Sequence, residues 1–148
     1  MVFDEVITAF GRTGKLFCME HYDFYPYFIS LSKGLTSGYL PLSVTGISSK
    51  IWEEIEDKIP PGLIFANALT TSNHATSCAV ALANIELIEN ENLVENSRQQ
   101  GKYFLSQLKA KFKKNSMVKE IRGLGLMAGI NWKNNRDAPE NYIKKKKI

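Results

Sequence analysis

The sequence has few cysteines, no long apolar run and no signal-peptide pattern in its first residues. Its two cysteines, Cys18 and Cys78, lie far apart in a chain of 148 residues, which is too few for a disulfide framework and fits a reducing compartment. No stretch approaches the roughly 20 apolar residues that a membrane helix needs. The amino terminus lacks the charged, apolar and small-residue segments of a signal peptide. We therefore expect no disulfide scaffold and no membrane partner.

An excess of one charge is also missing from the body of the chain. The net charge is +4, and the lysines at 144–147 account for all of it, since 4 − 4 leaves zero. A lysine run can contact nucleic acid or acidic lipid, but a solvated terminus is the commoner outcome. We expect the latter and predict no nucleic-acid partner.

The composition is that of an ordinary globular protein. Apolar residues make up 44% and charged residues 23% of the chain, which argues against disorder of the whole. A chain of this length suits one domain or one and a half. It should bury roughly 68–70% of the surface that its unfolded form exposes.

Strand patterns dominate the first third of the chain. Met1–Val6 is typical of a short buried strand, Phe28–Ser32 of a second and Leu42–Ile47 of a third. Glycines and Pro41 punctuate the connection between the second and third strands. Ser48 or Ser49 is a suitable N-cap for a helix that follows.

Helical patterns follow. We predict a long helix capped by Ser72, whose apolar residues from Ala79 to Ile88 surround most of its circumference, as in a helix packed between two layers. From Leu93 a three-and-four spacing predicts a helix with one buried face. Gly101 within it costs up to about 1 kcal/mol against alanine, which favours close packing with another element. Two strands around a glycine-rich bend, near 118–121 and 126–132, complete the pattern.

Alternating strands and helices predict α/β architecture. A change in composition near residue 90 predicts a domain boundary, with residues 1–88 ending a large domain and 89–148 starting a smaller one.

An acid and a lysine lie at the carboxyl ends of two successive predicted strands. Asp4 closes the first strand and Lys33 follows the second, and ligands gather at the carboxyl ends of strands in α/β sheets. Pyridoxal phosphate (PLP) chemistry needs such a pair, because a lysine forms a Schiff base with the aldehyde and a carboxylate keeps the pyridinium nitrogen protonated. Spacing alone is a weak signal, since most lysines lie on the surface.

Four segments strengthen that signal by resembling class III, omega-amino-acid type, aminotransferases. Asp4–Phe17 (DEVITAFGRTGKLF) is similar to "DEV…GFGRTGK", and Leu31–Leu42 (LSKGLTSGYLPL) is similar to "AKGLTSGYLPL". Leu69–Ala75 (LTTSNHA) corresponds to "FTYSGHP", and Ile121–Met127 (IRGLGLM) to "RGLGLM". The segments appear in the family's order and cover nearly the whole chain.

The resemblance implies an aspartate-aminotransferase-like PLP fold of type I, represented by the C-terminal part of the large domain and the start of the small one. Lys33 would bind the cofactor and move a proton, and Asp4 would pair with the pyridine nitrogen. Val6 would pack against one face of the ring. Thr70 would donate its hydroxyl to the cofactor phosphate of the neighbouring subunit in a homodimer.

The implied activity is transfer of an amino group from an amino acid or amine to a keto acid such as pyruvate. An apolar residue at Ile7 favours the omega-transaminase branch. The same lysine and aspartate also serve racemases, aminomutases, decarboxylases and phospho-lyases of this fold. A third alternative is a non-catalytic truncated product, because the family's upstream phosphate loop and downstream substrate arginine are not in the sequence. We expect these 148 residues alone to have little PLP affinity.

The sequence departs from the family pattern at several positions. Ser32 replaces the alanine beside the lysine, Tyr27 replaces an aspartate, and Ala75 stands where a proline is usual. These departures concern the phosphate side and the dimer-facing loop. They leave the pair of Asp4 and Lys33 intact.

Four other motifs suggest different chemistry. Cys18-x-x-His21 and His74-x-x-x-Cys78 have ligand-like spacing for zinc, but both fall inside the matching segments, so we expect packing roles. Residues 123–128 satisfy a loose dinucleotide fingerprint, which must open a helix, whereas a strand is predicted there. Residues 11–15 resemble the end of a phosphate-binding loop but lack its first glycine and its Ser/Thr.

Overall fold

The computed structural model of the protein describes residues 1–22, 24–63 and 69–133. Its elements are β1 (Val2–Asp4), a 3-10 turn (Cys18–His21), β2 (Phe28–Leu31), a second 3-10 turn (Lys33–Leu35), β3 (Val44–Ile47), α1 (Ser49–Glu56), α2 (Ala75–Asn90), α3 (Leu93–Phe112), β4 (Val118–Leu124) and β5 (Met127–Trp132). In the described part of the chain, no helix combines the length and apolarity needed to cross a bilayer. The lysine run at 144–147 lies outside the described residues.

A three-stranded sheet with the order β1-β2-β3 positions the first third of the chain. β1 and β2 run parallel, with Val2 opposite Phe28 and Asp4 opposite Ser30. The Glu5 N–H donates to the Ser30 carbonyl (3.0 Å) and extends the pairing by one bond. β3 returns antiparallel to β2. Because β1 and β2 are parallel, their carboxyl ends meet at one edge of the sheet.

The prediction of a buried first strand is wrong. Met1 is 64% and Val2 62% exposed. Within the described residues β1 pairs with β2 alone, so its other edge is not paired. An edge strand exposes side chains that a central strand would bury, and this accounts for the difference.

The start of α2 also differs from the prediction. The N-cap is His74, whose Nδ1 accepts a hydrogen bond from the Ser77 N–H (3.4 Å). Ser72 instead closes the preceding turn, because its Oγ accepts from the Leu69 N–H (2.9 Å). Asn73 has a left-handed backbone (φ 55°) that separates this turn from the helix.

One side of α2, rather than most of its circumference, is buried. Ser77, Ala81 and Ile88 are buried, whereas Leu82 is 64% and Leu87 47% exposed. The predicted packing between two layers is therefore wrong for the described residues. α2 contacts the Lys33 turn and α3, and both lie against its buried side.

The remaining elements agree with the sequence. α3 begins after Asn92 in a left-handed conformation (φ 51°). The residues at the predicted three-and-four spacing are buried or half-buried, namely Ser97, Gly101, Leu105, Leu108 and Phe112. Phe104, at 41% exposed, is the exception. β4 and β5 form an antiparallel hairpin in which Leu124 pairs with Met127.

Three glycines, Gly14, Gly101 and Gly125, form a close contact that we call the glycine junction. A Cβ on Gly101 would lie 2.2 Å from the Gly125 backbone, and one on Gly125 would lie 2.6 Å from the Gly14 nitrogen. The Arg12 carbonyl accepts hydrogen bonds from the Leu126 N–H (3.0 Å) and the Ser97 hydroxyl (3.3 Å) at this place. The predicted close packing of Gly101 is confirmed. The junction joins the loop after β1 to α3 and the hairpin.

Candidate functional site

The parallel pairing of β1 and β2 brings Asp4 and Lys33 to the same edge of the sheet. Asp4 is the last residue of β1, and Lys33 lies two residues after the end of β2. Both side chains are exposed. A carboxylate and a primary amine thus stand at neighbouring strand ends, where ligands of α/β proteins bind.

Lys33 opens a 3-10 turn with an unusual backbone. Its φ is 25°, a conformation that few non-glycine residues adopt. The Leu35 N–H donates to the Ser32 carbonyl (2.7 Å) and closes the turn. Lys33 lines a cavity of about 520 Å³ whose wall includes Ile7, Phe10, Arg12 and Ser37. The amine therefore borders a space of the size that small ligands occupy.

Two hydroxyl groups close the loop around this turn. Ser32 Oγ donates to the Leu42 carbonyl (2.8 Å), and Thr36 Oγ1 donates to the Leu40 carbonyl (2.6 Å). Thr36 is 2% exposed. Ser32, which departs from the family pattern, therefore makes a bond that an alanine has no atom to make.

A residue of α2 reaches the same turn from across the fold. Asn84 Nδ2 donates to the Gly34 carbonyl (2.8 Å) and to the Leu35 carbonyl (3.1 Å). Its Oδ1 accepts from the Ser37 hydroxyl (2.6 Å). The two carbonyls can only accept, so the amide nitrogen must face them. Asn84 thus uses its donors and its acceptor on one loop.

Asp4 has a local hydrogen bond and a different cavity. Its Oδ1 accepts from the Val6 N–H (3.1 Å), which fixes the carboxylate against the backbone that follows β1. Val6 is half-buried. Asp4 lines a cavity of about 130 Å³ together with Phe3, Thr8 and Tyr22.

The neighbouring acid, Glu5, is buried. It is 3% exposed, and its carboxylate accepts hydrogen bonds from the N–H groups of Cys18 (3.0 Å) and Met19 (2.7 Å) and from the Thr8 hydroxyl. Burial raises the pKa of the Cys18 thiol, and the charge of Glu5 raises it further, against a hydrogen bond with Thr13 that lowers it. Glu5 therefore ties the first 3-10 turn to the end of β1.

The predicted site residues Asp4, Lys33 and Thr70 do not line one common cavity. Asp4 and Lys33 share an edge of the sheet but line different cavities. Thr70 lies in the exposed turn before α2. The structure thus joins Asp4 to Val6 by a hydrogen bond, and Lys33 to Ile7 by a shared cavity.

The alternative motifs have structural roles. His21 Nε2 lies 3.1 Å from the Thr13 carbonyl oxygen and 3.2 Å from its hydroxyl, and His74 caps α2. Residues 1–22, 24–63 and 69–133 contain no group of three or more His, Cys, Asp or Glu side chains able to hold a metal ion. The dinucleotide-like glycines lie in the β4–β5 hairpin, which opens no helix.

Comparison with known families and proteins assigns this chain to a family. The family model for class-III aminotransferases matches residues 1–147. The chain belongs to the class-III aminotransferase family. Over 88% of its length this class-III aminotransferase chain is 38% identical to the diaminobutyrate–2-oxoglutarate transaminase of Halomonas elongata and 37% identical to the taurine–pyruvate aminotransferase of Bilophila wadsworthia. It spans 28% and 29% of those two proteins.

Solved structures agree with this assignment. An (S)-enantioselective omega-transaminase from Thermomicrobium roseum superposes with a TM-score of 0.80 at 40% identity, over 88% of this chain and 28% of that one. The predicted α/β fold of the aspartate-aminotransferase-like type is confirmed, as part of that fold.

Three residues of this class-III aminotransferase chain gain roles that the sequence did not assign. The sequence patterns assign no role to Glu5 or Asn84, and they mark Ser32 only as a departure from the family pattern. A signal for Asn84 exists, because it is an amide within the apolar run of α2. Buried polar groups need partners, so such a residue indicates a hydrogen bond to another element.

Proposed function

We propose that the complete protein is a PLP-dependent transaminase in which Lys33 binds the cofactor and Asp4 pairs with its ring nitrogen. The observation that carries this proposal is the parallel register of β1 and β2, which sets both groups at neighbouring strand ends. Membership of the class-III aminotransferase family supports it.

The chemistry of the donor set fits PLP. Lys33 offers an exposed amine beside a cavity of about 520 Å³, within the range of roughly 300–1,000 Å³ that ligand sites occupy. Asp4 offers a carboxylate whose Oδ1 is already oriented by the Val6 N–H. When bound, PLP supplies an electron sink for charge that develops at the substrate's Cα.

Each of the four proposed site residues has a separate role. Lys33 holds the cofactor and moves the proton at the substrate's Cα. Asp4 holds a proton on the ring nitrogen, because a nearby carboxylate favours the charged form. Val6 packs against a face of the ring, and Thr70 donates its hydroxyl to the phosphate bound by the partner subunit of a homodimer.

The proposed substrates are an amino acid or amine as donor and a keto acid such as pyruvate as acceptor. Ile7 is apolar and borders the Lys33 cavity, which favours the omega-transaminase branch. The related proteins differ in acceptor, since one is named for 2-oxoglutarate and another for pyruvate.

We also propose that residues 1–88 end the large domain and residues 89–148 begin the small one. This boundary falls in the last turn of α2, just before Asn92, the left-handed N-cap of α3.

Borohydride trapping of PLP tests the role of Lys33. The complete protein, incubated with PLP and reduced, should carry the cofactor on the peptide that contains Lys33. Lys33→Ala should lose this label, whereas Lys50→Ala, at an exposed lysine of α1, should keep it. A label on another lysine would refute the assignment.

A second assay separates transamination from other reactions of this fold. Amino donors supplied with pyruvate should yield alanine, and Asp4→Asn should lower the rate at least 100-fold, since the ring nitrogen loses its charged partner. If the donor is racemised or decarboxylated and no alanine forms, the protein is not a transaminase but catalyses one of the other reactions of this fold.

A further inference from the structure

The turn that carries Lys33 needs support from outside itself. Lys33 (φ 25°) and Ser37 (φ 49°) both have left-handed backbone angles. Each such residue strains the backbone and persists when surrounding contacts over-determine it. The bonds made by Ser32 and Thr36 close the loop but leave the carbonyls of Gly34 and Leu35 to another partner.

Asn84 is that partner. Its amide binds the Gly34 and Leu35 carbonyls and the Ser37 hydroxyl, at separations of 47 to 50 residues along the chain. The contact begins one residue after Lys33 and ends at the second left-handed residue, Ser37. Asn84 is half-buried on a helix that is otherwise apolar around it, so its lost bonds would not be replaced fully by water.

We propose that Asn84 is a positioning residue for Lys33. By fixing the carbonyls that follow the lysine, it sets the direction in which the amine leaves the strand end. This role rests on the proposed function, in which Lys33 binds PLP, because the lysine's direction matters only there. Asn84 itself need not touch cofactor or substrate.

The requirement for asparagine follows from the pattern of bonds. Aspartate keeps an acceptor for Ser37 but brings negative oxygens toward two carbonyls. Leucine has a similar size and makes none of the three bonds. Both variants should therefore loosen the turn, and Ser37→Ala, which removes one bond of the three, should loosen it less.

Hydrogen exchange on the PLP-free complete protein provides the first test. In Asn84→Asp and Asn84→Leu, the amides of residues 33–39 should exchange at least 10-fold faster than in the wild type. Asn90→Asp and Asn90→Leu, at the exposed last residue of α2, are matched controls and should leave those rates unchanged. Unchanged exchange in the Asn84 variants would overturn the proposal.

The second test adds PLP to the PLP-free complete protein, traps the attached cofactor with borohydride at successive times, and then assays the loaded enzyme. The Asn84 variants should attach PLP to Lys33 at least 10-fold more slowly, and kcat should fall while KM for the amino donor stays within about two-fold. If the Asn84 variants show faster hydrogen exchange but trap PLP at the wild-type rate and keep the wild-type kcat, the positioning role is refuted. Loss of the wild-type far-UV circular dichroism in both variants would also refute it, since Asn84 would then serve folding as a whole.

The two tests also separate this inference from the proposed function. If the wild-type protein attaches no PLP to Lys33, the proposed function fails and with it the purpose assigned to Asn84. If the wild type is labelled and the Asn84 variants are labelled equally fast, the proposed function stands and the inference fails.

Discussion

The ends of β1 and β2 carry the two proposed reacting groups but are held in different ways. At the end of β1, the buried carboxylate of Glu5 binds N–H groups 13 and 14 residues further along the chain. At the end of β2, the Lys33 turn takes its support from Asn84, some 50 residues away. The Glu5 carboxylate binds groups of its own segment, whereas the Lys33 turn adds to its local bonds a contact from a distant helix.

This difference bears on how each group responds to change. A local network forms with little loop-closure entropy, whereas a contact between distant residues exists only when the elements between them are folded. The lysine end should therefore be the more sensitive to loosening of α2. The carboxylate end should depend on Glu5 and on the loop that follows it.

Removing Glu5 should have the largest effect on stability. Glu5→Ala leaves the Cys18 and Met19 N–H groups without their acceptor and creates a buried gap, so the free energy of unfolding should fall by about 3 kcal/mol. Urea denaturation measures it. Glu20→Ala is the control, because exposed Glu20 accepts one N–H bond from Phe17 (2.7 Å), and its loss should cost about 0.5–1 kcal/mol. Equal losses would show that Glu5 does not hold the β1 end.

Gly101→Ala should lower the free energy of unfolding by about 2 kcal/mol. Helix propensity alone predicts a gain of up to about 1 kcal/mol, but the new Cβ would lie 2.2 Å from the Gly125 backbone and force α3 and the hairpin apart. Gly129→Ala is the control, since its nearest neighbour atom is 3.9 Å away. A stabilised Gly101→Ala protein would contradict the glycine junction.

Ser32→Ala should cost about 1 kcal/mol, the net worth of one hydrogen bond. The bond is the one from Ser32 Oγ to the Leu42 carbonyl. Thermal unfolding measures the loss, and Ser43→Ala, at an exposed serine of the same loop, serves as the control. No change at Ser32 would show that the Lys33 loop is closed without this hydroxyl.

Of these substitutions, replacement of Glu95 on α3 should have the smallest effect on the free energy of unfolding. Hydrogen bonds from Arg98 and Gln99 lower the pKa of Glu95 from 4.5 to about 2. A lowered pKa in the folded state gives stability that is present above pH 4.5 and lost as the pH falls toward 2. Since the pair is exposed, salt should weaken its contribution.

Stability measured from pH 5 to pH 2 tests this expectation. Glu95→Gln should flatten part of the decline in that range, whereas Glu89→Gln, at an exposed position of α2, should not. An identical decline in Glu95→Gln and wild type would show that the pair with Arg98 adds nothing to α3.

Periodicity and turn residues sufficed for much of the fold. The strand–helix order, the one-faced helix α3 and the hairpin at 118–132 follow from the sequence and are observed. The N-cap at Ser72 was wrong, because a left-handed Asn73 moves the start of α2 to Ala75. The burial of β1 and of α2 was also wrong, since apolar composition does not say how many neighbours an element has.

For the site as well, some residues were predicted from the sequence and others were found only in the structure. Asp4, Val6, Lys33 and Thr70 were assigned from motif resemblance, and their roles stay predictions. The hydrogen-bond partners of Glu5 and Asn84 became visible only in the structure, because an isolated polar residue indicates that a partner is needed but not where that partner lies.

By itself, the sequence determined the family and placed an acid and a lysine after two successive strands. It did so because motif words and strand patterns are local properties of the chain. The tertiary structure alone decided that β1 and β2 run parallel, that three glycines meet, and that Asn84 holds the turn after Lys33. Those facts depend on which distant backbones approach each other, and close approach is a property of packing rather than of any one segment.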